Sequence, residues 1–219
     1  RVLMYHMVRD HIDGAKFNKL RVKPTEFEKQ VAWMKAEGFH FVSMQELQAN
    51  WGNHPEKTVA ITFDDGYLDN LENAYPILEK YQAKATIYVV VDRHDRDWST
   101  YKKAHHNSGE LAREPKLNDE QVKFLAQSGW VEIGSHTLTH ANLDKLDDAE
   151  CLKELSESKV QLEQLTHMPV RSFAYPFGIY SVRDVEMAKQ VGYSNAVTTN
   201  EGIDSEHPDF MQLQRIKIS

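Results

Sequence analysis

His136 and His140 lie four residues apart in the run Ser135-His136-Thr137-Leu138-Thr139-His140, and Asp64 and Asp65 stand side by side in Thr62-Phe63-Asp64-Asp65-Gly66-Tyr67. Two neutral imidazoles and a carboxylate suit a borderline-soft divalent ion, and three protein ligands leave a position open for water or substrate. Such an ion brings the pKa of a bound water from about 15.7 to roughly 7. The second carboxylate is then a candidate base. Adjacent residues point apart on a strand, but where a strand runs into a loop both can face one cavity, and Gly66 permits that turn. Each element alone has an ordinary explanation, since histidine pairs arise by chance in a chain with 11 histidines and Asp-Asp-Gly makes turns. Their setting favours chemistry. Residues 58–63 read as a strand before the acids and residues 131–134 as a strand before the histidines. Both clusters therefore fall just past strand ends, where open α/β sheets and β/α barrels place their active sites.

The elements that must position these groups alternate along the chain. Thr25 with Glu28 reads as a capping box before Phe27, Val31 and Met34, which share one helical face. Residues 39–42 read as a short strand, and Ser43 with Glu46 caps the next helix. Leu71, Tyr75 and Leu78 stripe a helix that Pro76 either bends or starts. Residues 85–91 form a β-branched strand, and Asn118 with Gln121 caps a helix that ends at Gly129. Asp147 with Glu150 opens a long helix lined by Leu152, Leu155, Leu162 and Leu165; residues 172–175 are a strand, and Ser181 caps a helix that stops at Gly192. Strands near residues 195–198 and 212–218 finish the chain. Alternation of this kind implies an α/β fold with a parallel sheet and crossover helices, and its seven or eight strands predict a barrel, incomplete in places.

Composition sets the frame. A chain of 219 residues with 41% hydrophobic and 27% charged residues is most simply one domain with a real core. The net charge of −7 argues against a nucleic-acid footprint, and a neutral or cationic polymer is the easier partner. No run of 18 or more apolar residues predicts a membrane span, and no signal-peptide pattern opens the chain. Cys151 reads as a small buried residue in a helix. Residues 92–116 break the rhythm: they carry Trp98, Tyr101, His105 and His106 without an apolar period, as a lid would, and Trp98 with Tyr101 could stack on a sugar ring. Adjacent His105 and His106 are poor joint ligands and are left outside the site.

Residues 62–67, the SHTLTH run and Ala174-Tyr175-Pro176-Phe177-Gly178 resemble, in order, the first three motifs of the polysaccharide deacetylases, carbohydrate esterase family 4. The match spans most of the chain. It is similar in particular to the bacterial poly-β-1,6-N-acetylglucosamine deacetylases, whose sequences begin with a strand like Met4-Tyr5-His6. The resemblance implies a distorted (β/α) barrel of about seven strands, with residues 1–219 as a single deacetylase domain. It implies Asp64 as general base, His6 as general acid, and Asp65, His136 and His140 as ligands of one divalent ion: zinc by default, with cobalt, nickel or iron as alternatives. It assigns the backbone N–H of Phe177 to the oxyanion and places Tyr175 and Pro176 at the substrate groove. The implied substrate is an N-acetylglucosamine polysaccharide, β-1,6-linked before others, met outside the cell, at its surface or in the periplasm, by a monomer. Many members of the wider family carry an arginine where Ala174 stands, one that orients the base, and Arg215 is the candidate replacement. Trp130 is read as packing. Peptidoglycan, chitin oligomers and acetylated xylan are rival substrates. A silent sugar-binding relative and a structural metal site are rival classes, the latter disfavoured because such sites are usually closed by four ligands.

Overall fold

The computed structural model describes residues 1–219. Ten strands occur in chain order: β1 Val2–Tyr5, β2 Met7–Val8, β3 Arg21–Val22, β4 His40–Phe41, β5 Thr58–Phe63, β6 Ala85–Val89, β7 Val131–Ser135, β8 Ser172–Ala174, β9 Asn195–Glu201 and β10 Leu213–Lys217. The helices are α1 Pro24–Ala36, α2 Met44–Ala49, α3 Tyr75–Tyr81, α4 Ser99–Lys102, α5 Glu110–Arg113, α6 Asp119–Gln127, α7 Asp148–Thr166 and α8 Val182–Val191. Strands β1, β10, β9, β8, β7, β6 and β5 pair in that order, and β5 pairs back onto β1, so seven parallel strands close a barrel. This is the barrel the sequence predicts. The edge of β5 opposite β1 is shared in series: Thr58 and Val59 take β4, and residues 61–63 take β6.

Alternation along each strand divides the core in two. Val59, Ile61 and Phe63 of β5 point outward into the layer between barrel and helices, where Tyr5, Phe27 and Phe63 pack with ring centroids 5.2 to 5.7 Å apart. Burying each such ring contributes roughly 1.5–3 kcal/mol. The inward set is smaller: Val2, Ala60, Tyr88, Ala174, Val197 and Leu213, with Met44 and Leu47 of α2 packed against them. Gly134 also belongs here, because a Cβ on it would stand 2.5 Å from the Tyr88 ring.

The register delivers the site. Tyr5 pairs with Phe63, so the next residues, His6 and Asp64, leave the barrel together. Ser135 pairs with Phe173, which sets His136 beside Ala174.

The capping boxes at Ser43, Asn118, Asp147 and Ser181 are formed, and Gly192 ends α8 in the left-handed region. Two local readings need correction. Helix α1 starts at Pro24 after Lys23 and has no side-chain cap, so Thr25 and Glu28 lie inside it. Proline's fixed φ and missing N–H suit the first helical position, and that preference outranks the Thr-x-x-Glu pattern. The buried face of α7 carries Cys151, Leu155, Ser158, Leu162 and Thr166, while Leu152 is 37% exposed. Leu155 and Leu162 are thus buried as expected and Leu165 packs partly buried, while Cys151 takes the place of Leu152. Pro76 marks the start of α3, and a π-helical turn, residues 70–74, precedes it.

Candidate metal and catalytic centre

The carboxyl ends of β1, β5, β7 and β8 converge on one cleft of about 490 Å³, lined by His6, Asp64, Asp65, His136, His140 and Phe177. Asp65 Oδ1 stands 3.3 Å from His136 Nε2 and 3.2 Å from His140 Nε2, yet has no hydrogen-bond partner. The His136 ring is fixed from behind: its Nδ1–H donates to the Ala174 carbonyl at 2.7 Å, which leaves the Nε2 lone pair facing Asp65. Three buried electron-pair donors that face one another without protons between them fit a cation, and this set could hold a divalent metal ion. Burial would raise the Asp65 carboxyl, but the two imidazoles outweigh it and hold the group well below the usual carboxylate range.

The histidine spacing is not helical. Thr137 and His140 both have left-handed backbone, with φ of 69° and 58°, so residues 136–140 form a tight loop that folds the second ring back toward the first. Glu154 on α7 holds that loop. Its carboxylate accepts the Leu138 and Thr139 N–H groups at 2.9 Å each and the Thr139 hydroxyl at 2.8 Å. His140 is also stacked on the Trp98 indole, centroids 4.8 Å apart at 17°, and meets the Phe177 ring edge-on at 4.5 Å. Asp65, with φ of 80°, and Phe177, with φ of 60°, complete a cluster of four non-glycine residues held left-handed around the cleft. Each costs about 1–3 kcal/mol, and such strain collects at functional sites. Gly66, at φ of 77°, supplies the turn expected of it.

Beside the ligand set, Asp64 is gripped from inside the barrel. Arg215 on β10 donates to both of its carboxylate oxygens at 2.7 Å, and also to Thr62 Oγ1 and the Thr198 carbonyl. Arg215 therefore stands on Asp64 from a different strand than Ala174, whose side chain belongs to the inward cluster. Burial pushes the Asp64 carboxyl up, and the guanidinium more than cancels it, so Asp64 stays ionised. His6 Nε2 lies 3.9 Å from Asp64 Oδ2. Burial draws the His6 imidazole below its ordinary value, with Asp65 and Asp64 opposing.

Not every residue nominated by the sequence reaches the cleft. Tyr175 is 1% exposed, donates its hydroxyl to the Met211 carbonyl and stacks on Tyr180, so its ring is packing and does not line the groove. Pro176 is buried as well, and of the three only Phe177 lines the cleft. Trp98 is 1% exposed, with its indole against His140 and the Lys116 ammonium over the ring at 4.8 Å, so it offers no face to a sugar. Tyr101 packs on the same apolar cluster. Residues 92–116 contain α4 and α5 and build a wall of the cleft, to which His106 contributes. Sequence reading missed Glu154 and the buried role of Trp98, because neither lies in a motif.

Comparison with known proteins agrees with the geometry. The polysaccharide deacetylase family matches residues 52–196. The Bacillus subtilis protein YxkH, itself assigned to the polysaccharide deacetylases only provisionally, is 33% identical over the whole chain, which spans 71% of that protein. The poly-β-1,6-N-acetyl-D-glucosamine N-deacetylase of Staphylococcus aureus is 25% identical over 90% of the chain and 68% of its own length. The Streptococcus pyogenes deacetylase PplD, solved in complex with acetate, superposes with a TM-score of 0.83 at 30% identity, covering 99% of this chain and 91% of that one. A shared barrel, a family match over residues 52–196 and similarity to YxkH along the whole of this chain lead to one conclusion: the chain belongs to the polysaccharide deacetylase family.

Proposed function

We propose that this protein is a metal-dependent N-deacetylase that hydrolyses the acetamide of N-acetylglucosamine residues in a polysaccharide of the cell envelope or cell exterior, with β-1,6-linked poly-N-acetylglucosamine as the leading substrate. The observation that carries the reading is the meeting of three mutually facing ligand groups, Asp65, His136 and His140, with an ionised Asp64, locked by Arg215, and with His6 in one cleft. The linkage is supported by similarity to the Staphylococcus aureus enzyme. No helix is long and apolar enough to cross a membrane.

A divalent ion held by Asp65, His136 and His140, zinc first and cobalt, nickel or iron beside it, supplies Lewis-acid polarisation of the acetyl carbonyl and acidifies a water. The chain's own groups do the rest. Asp64 takes the proton of the attacking water, and the bidentate Arg215 keeps its carboxylate charged and aimed. Burial favours the uncharged form of His6, which suits a proton acquired during the reaction. Asp64 is the near donor, and a protonated carboxyl gives its proton to an imidazole downhill. His6 then protonates the departing amine. The Phe177 backbone N–H faces the developing oxyanion, an interaction typically worth about 100- to 1,000-fold in rate.

The test is acetate release from β-1,6-linked N-acetylglucosamine oligomers, beside chitin oligomers, peptidoglycan fragments and acetylated xylan. Metal-stripped protein is used with each ion restored, and Asp64→Asn is the control. Ion-dependent release from the first substrate, lost in the control, is expected. Release only from another polymer overturns the linkage, and silence on all of them returns the protein to the sugar-binding class.

A further inference from the structure

The carbonyl of Tyr5 receives the last rung between β1 and β5, from the Asp64 N–H at 3.0 Å, and His6 therefore lies beyond the ladder that fixes its strand. The residues after it, Met7 and Val8, pair with Arg21 and Val22 of β3, and the His6 backbone itself is held by the π-helical turn at residues 70–74. Asn70 donates its side-chain amide to the His6 carbonyl at 2.8 Å. Asn73 does the same to the Val8 carbonyl at 2.7 Å, and Asp69 accepts the Val8 N–H at 2.8 Å. Asn70 and Asp69 are joined at 3.1 Å, and both are buried, at 0% and 8% exposure. Three polar side chains from one turn are thus spent on three backbone atoms within residues 6–8. A π-turn is an irregularity that recurs at functional sites. This one lies in the segment that leaves the strand delivering Asp64 and Asp65, so one segment carries the base and grips the acid.

We infer that the π-turn is a clamp for the His6 step, with Asn70 and, more weakly, Asp69 and Asn73 as positioning residues that hold the imidazole at its distance from Asp64. The inference rests on His6 being the proton donor of the proposed reaction. Asn70 touches no reacting atom. Its amide fixes the backbone from which the ring hangs, and a misplacement of about 1 Å in such a support can cost on the order of 100-fold in rate.

The experiment is a double-mutant cycle between Asn70→Asp and His6→Gln, with kcat, KM, zinc affinity and Tm measured for all four proteins. Asn70→Asp keeps the shape of the side chain but sets a carboxylate against the His6 carbonyl. Expected are a fall in kcat of roughly 10- to 100-fold, with KM and zinc affinity within about 2-fold, a displaced acid limb in the pH–rate profile, and no further loss in the His6→Gln background. The milder Asn73→Ala gives a smaller loss of the same kind if Asn70→Asp does not fold. Equal loss in both backgrounds, or a lower Tm with kcat and pH profile intact, overturns the clamp while leaving His6 as the acid. Full activity of His6→Gln removes the acid assignment and the clamp with it. A crystal structure of Asn70→Asp with His6 still in place overturns the clamp whatever the substrate.

Discussion

The two ends of the barrel each hold a carboxylate, half-buried at one and buried at the other, and they treat it in opposite ways. At the end where α2 packs, burial raises the Glu132 carboxyl above its ordinary range, and every donor within reach is turned on it: the Thr86 hydroxyl at 2.9 Å, the Gln45 N–H at the start of α2 at 3.0 Å, and the Ser172 hydroxyl. The backbone there is regular. At the other end Asp65 Oδ1 and His140 Nδ1 have no partner, and Asp65, Thr137, His140 and Phe177 are held left-handed. A satisfied carboxylate on unstrained strands is an investment in the fold. Unpartnered polar atoms on strained loops lower stability, a cost that the divalent ion of the proposed reaction would offset.

The largest expected effect tests this contrast at its sharpest point. Asp65→Asn should abolish zinc binding in calorimetric titration and lower the rate of acetate release by at least about 100-fold, while the Tm of the metal-free protein moves by no more than about 2–4 °C, the equivalent of roughly 1 kcal/mol in a chain of this size. The orphaned oxygen contributes little to the fold. A variant that unfolds, or that binds zinc as the parent does, would break the distinction between the two ends.

Glu132→Ala is the converse. It strands the Thr86 and Ser172 hydroxyls and the Gln45 N–H, and it opens a cavity, so the loss of stability should be about 2–4 kcal/mol, or roughly 5–15 °C in Tm by calorimetry. Zinc affinity and kcat measured well below the new Tm should stay at parental values. Loss of zinc binding in a folded Glu132→Ala protein would mean that the two ends are coupled through the strands between them.

What the sequence shows of this site follows from how each residue acts. Asp64, Asp65, His136 and His140 are visible because they come in short runs just past apolar strands, and the strand period tells where those runs emerge. Tyr175 was placed at the groove because motif membership says nothing about which way a side chain turns; its hydroxyl is spent on Met211. Arg215 could be nominated only as a charge near the last strand, since its grip on Asp64 spans 151 positions. Glu154, Trp98 and Asn70 left no trace in any periodicity. Each acts through a backbone group or a ring that only the closed barrel brings near, as with Asn70 and the His6 carbonyl 64 positions away. The barrel itself was legible because alternation and strand count are local, whereas the burial of Cys151 in place of Leu152 depended on which side of α7 the rest of the fold covers.

Glu154 sets the smallest effect, and it tests whether strain at the open end is held by the loop's own sequence or from outside. A carboxylate that takes three donors from residues 138–139 contributes to the shape that returns His140 to His136. Glu154→Leu keeps the bulk of the side chain but removes both oxygens, so the Leu138 and Thr139 N–H groups and the Thr139 hydroxyl lose their acceptor. Outer partners of metal ligands typically cost about 10- to 100-fold in metal affinity when lost. Zinc should therefore bind that much more weakly to Glu154→Leu, and saturating zinc should restore kcat to within a few-fold of the parent, because Asp64, Arg215 and His6 are untouched. Recovery at high zinc is the decisive reading: it separates a residue that shapes the ligand set from one that serves the reaction. Unchanged zinc affinity would show that the left-handed turns at Thr137 and His140 hold themselves, and the strain would then belong to the SHTLTH run and owe nothing to its support on α7.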